Sequence, residues 1–87
     1  MKIKDGYMLR EVAGNSVVVA IGKAALDFNG LITLNGSAAF FWKLLEKGAA
    51  EAELLAAILD EYDIDENQAK MDIAELIKRL KGSNLLD

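Results

Sequence analysis

The order of elements along the chain predicts an α+β fold of winged-helix-like architecture: strands first, helices after. Three observations carry this. Short β-rich runs fill the N-terminal third. A run ending at Asn35 passes almost directly into an apolar helix holding the only tryptophan, Trp42. Two amphipathic segments then follow, with apolar residues at three- and four-residue spacing. At 87 residues the chain is expected to form one domain, 1–87, with a modest core and stability on the order of 5 kcal/mol.

The strands come first. Tyr7–Val12 reads as one strand and Ala13-Gly14-Asn15 as the turn after it. Ser16–Ile21 is the clearest strand, because the β-branched Val17, Val18 and Val19 suit a pleated surface. Asn29-Gly30 between apolar runs is a strong hairpin signal, since both central positions of a type I′ turn need positive φ. Leu31–Leu34 is therefore expected as a strand entered through a tight turn. Ala25–Phe28 fits either a strand or an ordered loop.

The first long helix is expected from about Ser37, as a helix-start residue, to Lys47. Ala39, Phe40, Trp42, Leu44 and Leu45 are too many for a narrow stripe, so it should be largely buried. Lys43 and Lys47 suit its C-terminal dipole, and Gly48 fits just past its end. The second runs from about Glu51 to Tyr62, with Leu54, Leu55, Ile58, Leu59 and Tyr62 on one side. The third is the best punctuated. Asp65 can cap it, and Gln68 completes the spacing of a capping box. Ala69, Ile73, Leu76, Ile77 and Leu80 form its stripe. Lys78, Arg79 and Lys81 fill the last turn, and Gly82 is expected to stop it. Leu85-Leu86 should fold back onto the core.

Composition narrows the function. Apolar residues make up 53% of the chain, enough for a core. Without cysteine or histidine there is no disulfide framework or thiolate metal site, and the commonest general base is missing. No enzyme activity and no cofactor are expected. Asp60, Glu61, Asp63 and Asp65 do not make a calcium loop. Counting from Asp60, the sixth and twelfth places hold Asp65 and Met71 where glycine and glutamate are needed. The glycines are scattered, so none forms a phosphate cradle. The N-terminus lacks the apolar stretch of a signal peptide, and no run approaches a membrane span. A cytoplasmic protein without a membrane partner is expected.

The net charge is −4. Glu51, Glu53, Asp60, Glu61, Asp63, Asp65 and Glu66 follow one another with no Lys or Arg between them. That stretch repels phosphate, and a duplex-binding surface needs the opposite sign. The segment Asp65–Lys81, which would serve as recognition helix in a small winged-helix transcription factor, is charge-balanced. No nucleic-acid partner is expected, although DNA binding stays as the alternative function. Trp42, with Phe40 and Phe41, reads as core before it reads as a stacking platform.

The run Leu34-Asn35-Gly36-Ser37-Ala38-Ala39-Phe40-Phe41-Trp42-Lys43-Leu44-Leu45 resembles a pattern of the PqqD-like proteins. These are the peptide chaperones, or RiPP recognition elements, of peptide-modification pathways. Leu9–Gly14, Tyr62, Asp72-Ile73, Leu80 and Leu85-Leu86 are similar in the same order, so the likeness covers nearly the whole chain. Gly36 departs from it, where many members carry Pro or Glu. The resemblance implies a three-stranded antiparallel sheet followed by a three-helix bundle. It also implies that a precursor's leader peptide adds as an extra strand, between the third strand and the third helix. Leu31, Ile32, Thr33 and Leu34 would then be the binding edge, and they carry no Lys, Pro or charge to blunt it. Asp72, Glu75 and Arg79, beside the apolar stripe that includes Leu76, share one flank at three- and four-residue spacing. They would meet the peptide's side chains. Asp72 and Glu75 favour a basic leader residue, and Arg79 an acidic one. The implied partners are the leader peptide and a modifying enzyme, a radical SAM maturase being typical. A homodimer is expected instead if the apolar edge pairs with a second copy.

Overall fold

The computed structural model describes residues 1–27 and 32–87. Three strands, β1 (Tyr7–Val12), β2 (Asn15–Ala20) and β3 (Ile32–Leu34), form one antiparallel sheet in the order β1-β2-β3. A helical turn, α1 (Ala24–Asp27), precedes β3. Three longer helices follow: α2 (Gly36–Lys47), α3 (Glu51–Glu61) and α4 (Glu66–Gly82). This is the α+β order expected.

The β1–β2 hairpin is tighter than the sequence suggests. Val12 pairs with Asn15, so only Ala13 and Gly14 form the loop. Both have positive φ, 52° and 82°, as the two central residues of a type I′ turn require. Gly14 takes that conformation without strain, whereas Ala13 holds it against its Cβ. Asn15 is the first residue of β2 and not part of the turn. The Asn29-Gly30 turn and Leu31 lie outside the described residues. Ala24–Asp27 is neither strand nor irregular loop but a single helical turn packed against β2.

In β2, Val18 enters the main core while Val17, on the opposite face, is also buried. From α2 the buried side chains are Ala38, Ala39, Phe41, Trp42 and Leu45. Phe41, not Phe40, is the aromatic that joins Trp42 inside. Phe40 is half-buried and meets Tyr62 edge-on, with ring centroids 5.5 Å apart. Tyr62 lies just past the end of α3 and is exposed. Leu54 and Ile58 of α3, and Ala69, Ile73, Leu76, Ile77 and Leu80 of α4, complete the core.

The helix ends explain the register of these faces. Asn35, rather than Ser37, caps α2: its Oδ1 accepts from Ala38 N at 2.9 Å, and Ser37 Oγ donates to the same oxygen. Gly48 ends α2 with φ 97°, a conformation costly to any residue with a Cβ. Glu53 Oε1 takes the Ala50 amide ahead of α3, and Asp65 Oδ2 takes the Gln68 amide ahead of α4. The Gln68 side chain does not return to that cap. It donates forward to Asp72 Oδ1 at 2.9 Å.

The C-terminal tail folds back as expected. Leu85 and Leu86 are buried, and Leu86 pairs with Ile3 in an isolated antiparallel bridge. Lys4 N donates to Leu85 O and Asp87 N to Lys2 O, both at 2.9 Å. Gly82 does not stop α4. The helix includes it, and Asn84, with φ 60°, makes the reversal.

Candidate functional site: the β3 edge and its groove

β3 is an outer strand of the sheet, paired with β2 on one side only. Its residues are graded by depth: Leu34 is buried, Ile32 half-buried and Thr33 exposed. Alternation puts Ile32 and Leu34 toward the core and the Thr33 side chain away from it. Leu34 ends the strand, and Asn35 at once caps α2. The strand is thereby anchored at its end by a helix whose start is fixed.

Opposite this junction runs one flank of α4. Asp72, Glu75, Leu76 and Arg79 line a shallow cleft of about 60 Å³ together with Asn35, Ser37, Ala38 and Phe41. Phe41 and Leu76 are nearly fully buried, so they form its apolar floor. Ala38 is small, which lets the helices approach at that level. Asp72, Glu75 and Arg79 stand on the rim. The three-four spacing on α4 thus places these residues together as the sequence suggested, and the β3–α2 junction is what they face.

One contact ties the two walls. Arg79 Nη2 donates to the backbone oxygen of Thr33 at 3.2 Å. In an antiparallel ladder the N–H and C=O of one residue point to the same side of the strand. A Thr33 carbonyl reached by Arg79 puts that amide pair on the side away from β2. The open edge of β3 therefore faces α4.

The groove's charges are incompletely matched. Glu75 and Arg79 stand four apart on α4, the spacing of a helical ion pair, yet no ion pair joins them. Among the described residues the salt bridge found is Lys70 with Glu66, at 3.8 Å and well exposed. Arg79 is turned instead to the strand, and Asp72 is held by Gln68. The rim so carries two carboxylates and one committed guanidinium.

Sequence reasoning missed Asn35, Ser37, Ala38 and Phe41 as groove residues. They sit inside the run Leu34–Leu45, where each has a structural role that hides a second one. Among the described residues no group of acidic side chains is arranged to hold a metal. No helix there is long and apolar enough to cross a membrane.

The fold is shared with two solved structures. One is TbiB1 in complex with the TbiA(beta) leader peptide. It has a TM-score of 0.76 and 24% identity, covering 100% of this chain and 95% of that one. The other is a lasso peptide synthetase B1 complexed with its leader peptide. Its TM-score is 0.74 at 20% identity, covering 97% of this chain and 93% of that one. At such identities the likeness shows the fold. The family is shown by sequence: the model for coenzyme PQQ synthesis protein D (PqqD) matches residues 15–86. The chain belongs to the PqqD family. Comparison with curated proteins finds no match.

Proposed function

We propose that this protein is a non-catalytic peptide chaperone that binds the leader segment of a ribosomally made precursor by strand addition. The observation that carries the reading is the open β3 edge facing a groove on α4, with Thr33 and Arg79 marking where the two meet. An incoming strand satisfies the unpaired N–H and C=O groups of such an edge, and pockets beside it choose among side chains. Membership of the PqqD family supports this reading, as do the leader peptides bound to both structural relatives.

In this reading Thr33, with Leu31 two residues ahead of it, offers its backbone N–H and C=O to the incoming strand, while Ile32 and Leu34 stay paired with β2. Asp72, Glu75, Leu76 and Arg79 form the opposite wall. β1 is the other edge of the sheet, but Arg10 and Glu11 blunt it, and charged residues discourage strand addition. The module holds the leader while a separate enzyme, a radical SAM maturase in the family's usual pairing, modifies the rest. Tethering raises the effective concentration of substrate at that enzyme. The protein works in the cytoplasm and needs no cofactor of its own. DNA binding is not favoured, because the outer face of α3 is acidic and α4 is charge-balanced.

The test is to search the reading frames around this chain's gene for a short precursor and to titrate its synthetic leader against the protein by calorimetry. A one-to-one complex is expected, with amide NMR shifts concentrated on Ile32–Leu34 and on Asp72–Arg79. No heat and no shifts reject the reading.

A further inference from the structure

The Arg79–Thr33 contact has a consequence for how the groove opens. A peptide strand added to β3 lies about 4.8 Å from it, and its N–H donates to the Thr33 oxygen from about 2.9 Å. In the free protein the Arg79 guanidinium already donates to that oxygen, at 3.2 Å. It stands in the lane the added strand must take. Strand addition at Thr33 therefore requires Arg79 to leave.

The helix supplies a place for it to go. Glu75 lies one turn before Arg79 on the same flank and lines the same cleft. Glutamate four residues ahead of arginine is the favourable order for a helical ion pair. Glu75 has no ion-pair partner among the described residues, so it is open to receive the guanidinium.

We infer that Arg79 is a displaceable cap on the binding edge: it covers the Thr33 carbonyl in the free protein and moves to Glu75 when a peptide strand takes that carbonyl. The inference rests on the leader-binding reading and adds its regulation. The cap blunts an edge that otherwise carries no charge, and an uncovered edge of this kind invites pairing with other chains. It also sets a threshold. A peptide that offers only a stray β-contact must displace a charge-assisted hydrogen bond. One that fills the groove gains the apolar floor of Phe41 and Leu76 in return.

Competition of this kind has a sign that ordinary contact does not. Arg79→Ala removes the competitor, so the same synthetic leader, labelled with fluorescein, should bind about three- to tenfold more tightly. The gain should appear mainly as faster association. Arg79→Gln is too short to reach Thr33 and should behave alike. Glu75→Gln should weaken binding about two- to threefold in the wild type, by removing the landing site, and have a smaller effect in the Arg79→Ala background, where only its attraction for a basic leader residue is lost. Without any peptide, the Thr33 carbonyl 13C resonance should shift in both Arg79 variants while their melting temperatures hold. Equal or weaker binding by Arg79→Ala and Arg79→Gln overturns the cap, as does an unmoved Thr33 carbonyl resonance. Absence of binding by wild type and variants alike overturns the leader-binding reading instead, a separate and distinguishable result.

Discussion

The amide of Leu85 donates to the carbonyl of Leu80 at 2.8 Å, and both side chains are fully buried. Between them Asn84 N donates to Lys81 O at 3.1 Å, with Asn84 in the left-handed region. The two bonds and the apolar pair make a Schellman motif, with Asn84 in the place usually held by glycine. Two substitutions should therefore act opposite to a reading of composition alone. Gly82 lies within α4 at ordinary φ, and a Cβ there meets nothing within 4 Å. Gly82→Ala should stabilise the protein by about 0.5–1 kcal/mol in urea unfolding. Asn84→Ala should destabilise it by about 1 kcal/mol, because alanine pays the left-handed penalty that asparagine tolerates. A loss of stability in Gly82→Ala would count against this end of the helix.

Trp42 is fully buried between the sheet and the helices. Truncation to alanine leaves a large cavity and should cost roughly 3–5 kcal/mol, close to the whole stability of a domain this size. Chemical denaturation should show Trp42→Ala largely unfolded at room temperature. The indole Nε1 has no hydrogen-bond partner among the described residues. Trp42→Phe thus leaves no acceptor orphaned and should retain a cooperative melt. If Trp42→Ala melts normally and loses only leader binding, the indole is a peptide platform.

How far the sequence carries is clear from these two regions. All five residues of the α4 stripe are buried as their spacing required, because a long periodic segment leaves little choice of face. The run from Leu34 to Leu45 reads physically as well: a buried strand end, a capping Asn35, two small alanines, then Phe41, Trp42 and Leu45 inside. Three consecutive aromatics blur its phase, so Phe40 reads as the buried one in place of Phe41. Gly82 misled because glycine has the stronger local preference, whereas the pairing of Leu80 with Leu85 is tertiary and carries the helix on to Ser83. Ala24–Asp27 is too short for periodicity to tell a turn of helix from a strand. The flank of Asp72, Glu75 and Arg79 was legible on α4 alone. That it faces the β3–α2 junction depends on how α4 crosses the sheet, which no local pattern encodes.

Thr33 offers the most direct test of strand addition. Proline there removes the amide donor and fixes φ. The donor lies on the open side of β3, and proline is tolerated on such edges. Thr33→Pro should therefore keep the fold, with far-ultraviolet circular dichroism and melting close to wild type. It should lower leader affinity at least about tenfold, the loss of one ladder bond and the distortion of its neighbours. A folded Thr33→Pro protein with unchanged affinity by calorimetry removes this edge as the site.

The acidic rim should set which leader side chains are accepted. Asp72 and Glu75 face the cleft beside the edge, and the described residues offer no cation within ion-pair distance of either. Asp72 is instead held by the neutral Gln68 amide. A basic leader residue placed over them gains attraction that salt screens over about 10 Å at 0.1 M. Asp72→Lys reverses the local sign and gives up one exposed hydrogen bond. Its cost to stability should stay within about 0.5 kcal/mol, as for most surface changes. Leader binding should weaken, with the difference from wild type larger at 20 mM than at 500 mM added salt as the charge contribution is screened. Affinity that is lost equally at both salt concentrations would mean that Asp72 shapes the groove and does not read charge. NMR shifts that map to the acidic face of α3 and leave Asp72 and Glu75 unmoved would put the peptide on another face altogether.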